Sequence, residues 1–196
     1  FTTLESYMAY ADYRDVMQMT EELICHVAKE VVGSLQFESN GAEIDLNPPW
    51  KRLTFAASII DVGGIAAAAL EDAERLEAEA RQRSITKDVG NLGAADAATL
   101  HAKLLAKVFD VAVEPQLIQP TFITDYPIEL CPLAKASSEN PKVAERFELF
   151  IGGRELANAY SELNDPLDQA ERFAAQVRQR SAGDEEALMM DDDFIR

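Results

Sequence analysis

Arg146–Pro166, reading RFELFIGGRELANAYSELNDP, constrains this chain more than any other stretch. Apolar and polar residues alternate on both sides of Gly152-Gly153, which reads as two strands joined by a glycine turn. The glutamates Glu148, Glu155 and Glu162 stand among the apolar neighbours. A carboxylate taken out of water is costly unless a cation or hydrogen-bond donors meet it. Two readings follow. The strands are either a sheet floor that holds metal ions and an ammonium group, or a half-exposed hairpin whose glutamates face solvent, as charged strand faces commonly do. Spacing leaves both open.

Charge narrows the partners. The 196 residues carry 35 acidic against 18 basic side chains, a net charge of −17. That balance argues against a general nucleic-acid surface and against DNA binding, because phosphate recognition needs clustered Lys and Arg. The acidity gathers at Glu71–Glu79 and from Asp184 to Asp193, both of which read as solvated helix faces. Cys25 and Cys131 lie far apart and match no metal or redox spacing, so free thiols in a reducing cytoplasm are expected. With His26 and His101 the only histidines, an ordinary zinc site is not expected either. No apolar run reaches the length of a membrane span and no signal peptide opens the chain. The sequence begins in strand-like alternation and stops at DDDFIR in a helical pattern, so a segment from the middle of a larger protein is expected.

Periodicity gives the order of elements. Thr2–Tyr10 alternates, with Thr3, Glu5, Tyr7 and Ala9 on one strand face. Asp12 caps a helix that places Val16, Met19, Leu23, Val27 and Val31 inward and ends at Gly33. Asn40-Gly41 joins the strands Leu35–Glu38 and Glu43–Leu46 in a hairpin. Thr54 caps a short helix that ends at Gly63-Gly64. Ala66–Arg83 is one peripheral helix, Ser84–Gly93 a loop, and Ala95–Val113 a helix with Leu100, Leu104, Val108 and Val111 inward. His101 on it reads as a packed or surface histidine. Gln119–Ile123 and Pro127–Leu130 are short strands, with Pro120 and Pro127 suggesting edge or terminal positions. Pro132–Pro141 is a polar connection. After the opening feature, a helix runs from Asp165 to about Arg180 with Leu167, Phe173 and Val177 inward, and another starts in Glu185–Arg196.

FTTLESYMAYADY, QLIQPTFITDYPIELCPLAK and RFELFIGGRELANAYSELNDPLDQAERF, together with the MMDDDFIR tail, resemble class II lysyl-tRNA synthetases. The resemblance covers nearly the whole chain and is least specific in the alanine-rich region 66–115. It implies an α+β fold, an antiparallel sheet flanked by helices. Residues 1–196 would form a partial catalytic domain, from the end of the family's motif 2 to just before motif 3, with a helical insertion at about 61–113. The implied activity is ATP-dependent activation of L-lysine to lysyl-adenylate and its transfer to tRNA(Lys), with Mg²⁺ as cofactor. The intact enzyme would be a homodimer without a membrane partner. This segment alone would be inactive, since motif 1, the anticodon-binding barrel and two ATP-binding arginines lie outside it.

Carried over by position, Phe1 matches the aromatic that stacks on adenine. Glu5, Tyr7, Asn158 and Tyr160 match positions in the lysine pocket, and Glu162 matches the partner of the substrate's ε-ammonium. Glu148 and Glu155 match the pair that holds Mg²⁺ on the ATP phosphates, a pairing suited to an ion that takes oxygen ligands. No residue is implied as a general acid or base, because activation rests on positioning and charge neutralisation. The bland counterparts are a solvated Glu5, core tyrosines at Tyr7 and Tyr160, and Glu148 or Glu155 paired with Arg146 or Arg154. The pattern also leaves the elongation factor P lysyltransferase, which shares a similar ELAN run, and a synthetase-derived binding module without activity.

Overall fold

The computed structural model describes residues 2–85 and 92–196. Asp12 starts the first helix, α1 (Tyr13–Val31), by accepting from the N–H groups of Arg14 and Asp15 at 2.7 and 3.3 Å. Asp15 accepts from the Asp12 N–H at 2.9 Å, completing a capping box. The helix stops at Gly33, whose φ of 78° suits a left-handed C-terminal position. Its inward face differs from the expected one. Tyr13, Met17, Cys25 and Ala28 are buried, whereas Leu23, Val27 and Val31 are exposed. Two apolar stripes compete on this helix, and the buried one includes Cys25, whose thiol donates to the Leu46 carbonyl at 3.2 Å.

The hairpin forms as expected from β1 (Gln36–Ser39) and β2 (Ala42–Asp45), with Ser39 paired to Ala42. Asn40 and Gly41 have φ of 49° and 79°, the left-handed pair that a two-residue hairpin turn requires. An unexpected strand follows, β3 (Lys51–Thr54), and its last residue caps α2 (Phe55–Asp61) by accepting from the Ala57 N–H at 3.1 Å. Gly63 then packs so tightly that a Cβ there would stand 2.7 Å from the Ile59 carbonyl oxygen.

The single helix expected over Ala66–Arg83 is two, α3 (Ala67–Leu70) and α4 (Ala73–Gln82). Asp72 divides them by accepting from the N–H groups of Glu74 and Arg75, each at 3.1 Å. Nor is the region wholly peripheral, since Leu76 and Ala80 are fully buried. Of the expected Ser84–Gly93 loop, residues 86–91 lie outside the described residues. α5 (Ala97–Ala112) is capped by Asp96 and buries Leu104 and Val108 as expected, while Phe109 replaces Val111 on the inner side. His101 is a packed histidine, its Nε2 2.8 Å from the Leu70 carbonyl oxygen.

β4 (Thr121–Thr124) follows Pro120, which therefore sits just before a strand with neighbours on both sides. Ile128–Leu130 is a 3-10 turn where a strand was expected; only Pro127 makes a single bridge, to Val143. β5 (Arg146–Phe150) and β6 (Glu155–Tyr160) form the expected pair around Gly152-Gly153. α6 (Pro166–Ser181) is capped by Asp165, and α7 is confined to Asp192–Ile195. On α6, Phe173 is inward but Leu167 is 77% exposed, and Gln169, Gln176 and Gln179 are buried instead. Thr2–Tyr10, expected as a strand, is exposed and pairs with no described strand. Alternation states which residues would share a face but supplies no hydrogen-bonding neighbour.

The central sheet runs β3-β4-β5-β6, with β3 parallel to β4 and the remaining pairs antiparallel. The sheet is thus mixed at one edge rather than wholly antiparallel, within an α+β architecture. One face buries Phe122, Phe147 and Leu149 against α1, Trp50 and the β1–β2 hairpin. The other receives α2 and α5 at Ile123 and Phe150 and turns polar toward β6. Among the described residues, no helix is long and apolar enough to cross a membrane.

Candidate functional site

The polar part of the second face is written by register. Arg146 stands opposite Tyr160 and Glu148 opposite Asn158, so four polar side chains share one side of the β5–β6 ladder. Phe147 and Leu149, the alternate residues of β5, point into the core behind. Glu155 is three residues from Asn158, and strict alternation would send it to the opposite face. A bulge corrects this. Leu149 pairs with Ala157 and Phe150 with Glu155, leaving Leu156 as the extra residue. Glu155 consequently faces the same way as Asn158, whose Nδ2 donates to its Oε1 at 2.7 Å.

Glu148 is the buried member of the cluster, its side chain 13% exposed. Arg146 donates from Nη2 to one carboxylate oxygen, and the Tyr126 hydroxyl donates to the other at 2.6 Å. The Arg146 guanidinium also lies 5.0 Å from the Tyr126 ring centre and bonds the Cys131 sulfur at 3.4 Å. Burial pushes the Glu148 carboxyl above its ordinary value, Arg146 and Tyr126 oppose that, and the charges of Glu155 and Glu114 add to it. Tyr126 is driven well above the usual phenol range, by burial and then by Glu148, so it remains a donor. Glu114, at the start of a short 3-10 turn, is raised by burial and by Asp110 and Glu155. Burial, more than the neighbouring carboxylates, is therefore what disfavours the charge on Glu148.

The expected ion-pairing alternative holds for Glu148, which does pair with Arg146. Glu155 takes Asn158 rather than Arg154. Both carboxylates keep lone pairs, and such a pair fits Mg²⁺, which typically uses one or two carboxylates with substrate phosphates and waters. No group of three or more His, Cys, Asp or Glu among the described residues could hold a metal ion.

Of the remaining residues, Tyr160 ends β6 and Glu162 follows it. Tyr160 is half-buried, and its hydroxyl is raised by burial, then by Glu162 and Tyr7, which places both within its electrostatic reach. Glu162 is exposed and bridges to Ala134 through the backbone. Glu5 is exposed on the N-terminal stretch, without a side-chain hydrogen bond among the described residues. Phe1 lies outside the described residues. Tyr160 and Arg146 also border a cleft of about 400 Å³ closed by Leu130, Leu133, Gln176 and Leu188. Tyr126, the bulge at Leu156 and the approach of Glu114 escaped the sequence reading. The DYP run that contains Tyr126 signalled only a turn.

Residues 1–196 match the family model for class II tRNA synthetases of the D, K and N type. Over 195 residues the chain is 50% identical to a lysine–tRNA ligase of Pelotomaculum thermopropionicum, covering 100% of this chain and 37% of that protein. It is 48% identical over 195 residues to a lysine–tRNA ligase of Carboxydothermus hydrogenoformans, covering 100% of this chain and 38% of that protein. A lysine–tRNA ligase of Thermoanaerobacter sp. is 50% identical over 196 residues, again with 100% and 38% covered. The chain thus spans just over a third of the length of the curated relatives it matches.

Proposed function

Because the chain belongs to the class II tRNA synthetases of the D, K and N type, we propose that it supplies part of the catalytic domain of a lysine–tRNA ligase. In this reading residues 1–196 run from the end of motif 2 to just before motif 3, with the helices at about 61–113 as an insertion. The whole protein activates L-lysine with ATP, transfers it to tRNA(Lys), and works as a homodimer in the cytoplasm; the segment alone is inactive. The observation that carries the reading is the single polar face of β5 and β6. It aligns Glu148, Glu155 and Asn158 and leads to Tyr160 and Glu162, within a chain matched from end to end by lysine–tRNA ligases.

Each residue has a task. Glu162 meets the lysine ε-ammonium, with Tyr160, Tyr7, Asn158 and Glu5 forming the pocket wall. A side chain without that ammonium leaves Glu162 without its charge partner, which disfavours it against lysine. Phe1 stacks on the adenine. Glu148 and Glu155 hold the Mg²⁺ that accompanies ATP. When bound, that ion neutralises phosphate charge as pyrophosphate leaves. Held in line, the lysine carboxylate displaces pyrophosphate at the α-phosphorus to give lysyl-adenylate, and a hydroxyl of the tRNA's terminal adenosine then takes the lysyl group, releasing AMP. Positioning and charge neutralisation carry this chemistry, so no protein acid or base is needed.

The test is Glu162→Gln in the complete polypeptide, read by lysine-dependent exchange of pyrophosphate into ATP. The lysine requirement should rise by about tenfold or more, as expected when the carboxylate that meets the substrate's ammonium is removed. An unchanged lysine dependence would take Glu162 out of the pocket.

A further inference from the structure

We propose that Tyr126 is a positioning residue for the metal-binding role of Glu148: with Arg146 it fixes the orientation of the carboxylate, one donor to each oxygen, and leaves each oxygen a lone pair for a divalent cation. The proposal rests on the reading of Glu148 given above and adds a residue to it.

The geometry is a two-sided brace. Tyr126 Oη donates to Oε2 of Glu148 at 2.6 Å, while Arg146 Nη2 occupies Oε1. The tyrosine is itself held rigidly. It is 4% exposed, its ring centre lies 4.9 Å from that of Phe55 and 6.3 Å from that of Phe109, and its carbonyl accepts from the Ala144 N–H at 2.9 Å. Asp125, with φ of 58°, turns the chain out of the β4 ladder immediately before it. The Arg146 guanidinium over the Tyr126 ring then ties the two donors to each other. A glutamate with both oxygens engaged has one available orientation, and its neighbour Glu155 is held separately by Asn158. Mg²⁺ tolerates little departure from octahedral geometry, so a carboxylate already aimed loses less freedom on taking the ion than one still rotating. Hydrogen-bond partners of metal-ligating groups characteristically matter to affinity nearly as much as the ligands do. Burying a phenol beside a carboxylate merely to fill space would be served as well by phenylalanine, whose ring packs identically against Phe55 and Phe109.

The experiment compares Tyr126→Phe and Glu148→Gln with the unmodified complete polypeptide. Affinity for the Mn²⁺–ATP complex is read from water-proton relaxation enhancement, and lysine affinity is measured separately in chelator. Tyr126→Phe should weaken Mn²⁺–ATP binding by about tenfold while lysine binding stays within about twofold. Equal losses for both ligands would overturn the proposal, since a structural defect spreads to the whole site. So would unaltered Mn²⁺–ATP affinity in Tyr126→Phe when Glu148→Gln has lost it, an outcome that leaves the role of Glu148 standing. If Glu148→Gln itself binds Mn²⁺–ATP normally, the metal role of Glu148 fails first and the brace has no function left.

Discussion

On one side of the sheet Phe122, Phe147 and Leu149 are fully buried beneath α1 and the β1–β2 hairpin. On the other side, one residue away along β5, Arg146 and Glu148 carry charges at 20% and 13% side-chain exposure. The same strands make both faces. Behind, Phe147 and Phe122 meet edge to face at 5.2 Å and Trp50 stacks on Phe122 at 5.6 Å, so every alternate position adds apolar burial. In front, the polar positions of β5 and β6 carry carboxylates and one guanidinium, that of Arg146, whose buried Nε has no hydrogen-bond partner. Charges held at low exposure on the front are costly, and the apolar burial on the rear offsets that cost.

Breaking the rear face should have the largest effect. Phe147→Ala should cost about 3–5 kcal/mol of stability in urea unfolding, the range for emptying a fully buried aromatic position. Lysine and Mn²⁺–ATP affinities of the molecules that remain folded should hold. A selective loss of ligand binding at unchanged stability would erase the division between the faces. A smaller test concerns the hairpin that covers the rear face. Gly41→Ala at φ of 79° should cost about 1 kcal/mol, because a Cβ disfavours the left-handed region. If the loss appears in global unfolding, the hairpin belongs to the same cooperative unit as Phe147; if only the hairpin amides exchange faster, it does not.

The smallest effect at any one pH sharpens the front face and is read as a slope. The folded-state pKa of Glu148 is raised, chiefly by burial, so the folded protein binds that proton more tightly than the unfolded chain does. The stability this contributes is fully present below the unfolded pKa and is lost as pH rises through the folded one. Glu148→Gln has no such proton. In chelator its stability relative to the unmodified protein should therefore improve as pH rises from about 4, the ordinary carboxylate range, through the raised folded-state pKa, and then level off. A constant difference across that window would mean that Arg146 and Tyr126 fully compensate the buried charge.

Local chemistry was the legible part of the sequence. Asp12 and Thr54 cap helices because their own side chains reach the first free N–H groups, and Asn40-Gly41 turns because both residues accept positive φ. Periodicity also found β5 and β6. It did less well wherever the partner was remote. β3, with Leu53 its only apolar residue, is a strand because β4 pairs with it, and nothing within KRLT announces that. α6 turns glutamines inward: Gln169 reaches the Pro132 carbonyl at 3.1 Å and Gln176 accepts from the Leu188 N–H at 3.1 Å. An apolarity pattern places Leu167 and Val177 there instead. For the site, the three glutamates stood out in the sequence, but Asn158 and all of their tasks came from the resemblance. The bulge that brings Glu155 beside Asn158 depends on one unpaired leucine, which alternation cannot reveal.

The parallel pairing of β3 with β4 has a consequence in time. Thr121, the partner of Lys51, leaves the ribosome about 70 residues later, roughly 4–14 s at ordinary elongation rates. Throughout that interval Lys51–Thr54 is a nascent strand with no partner to receive it. Lys51 and Arg52, at its exposed front end, are the kind of charged pair that keeps an unpaired strand from joining another chain. Among the described residues β3 is the outer strand of the folded sheet, so the same two cations stand at the edge in the newborn segment and in the folded one.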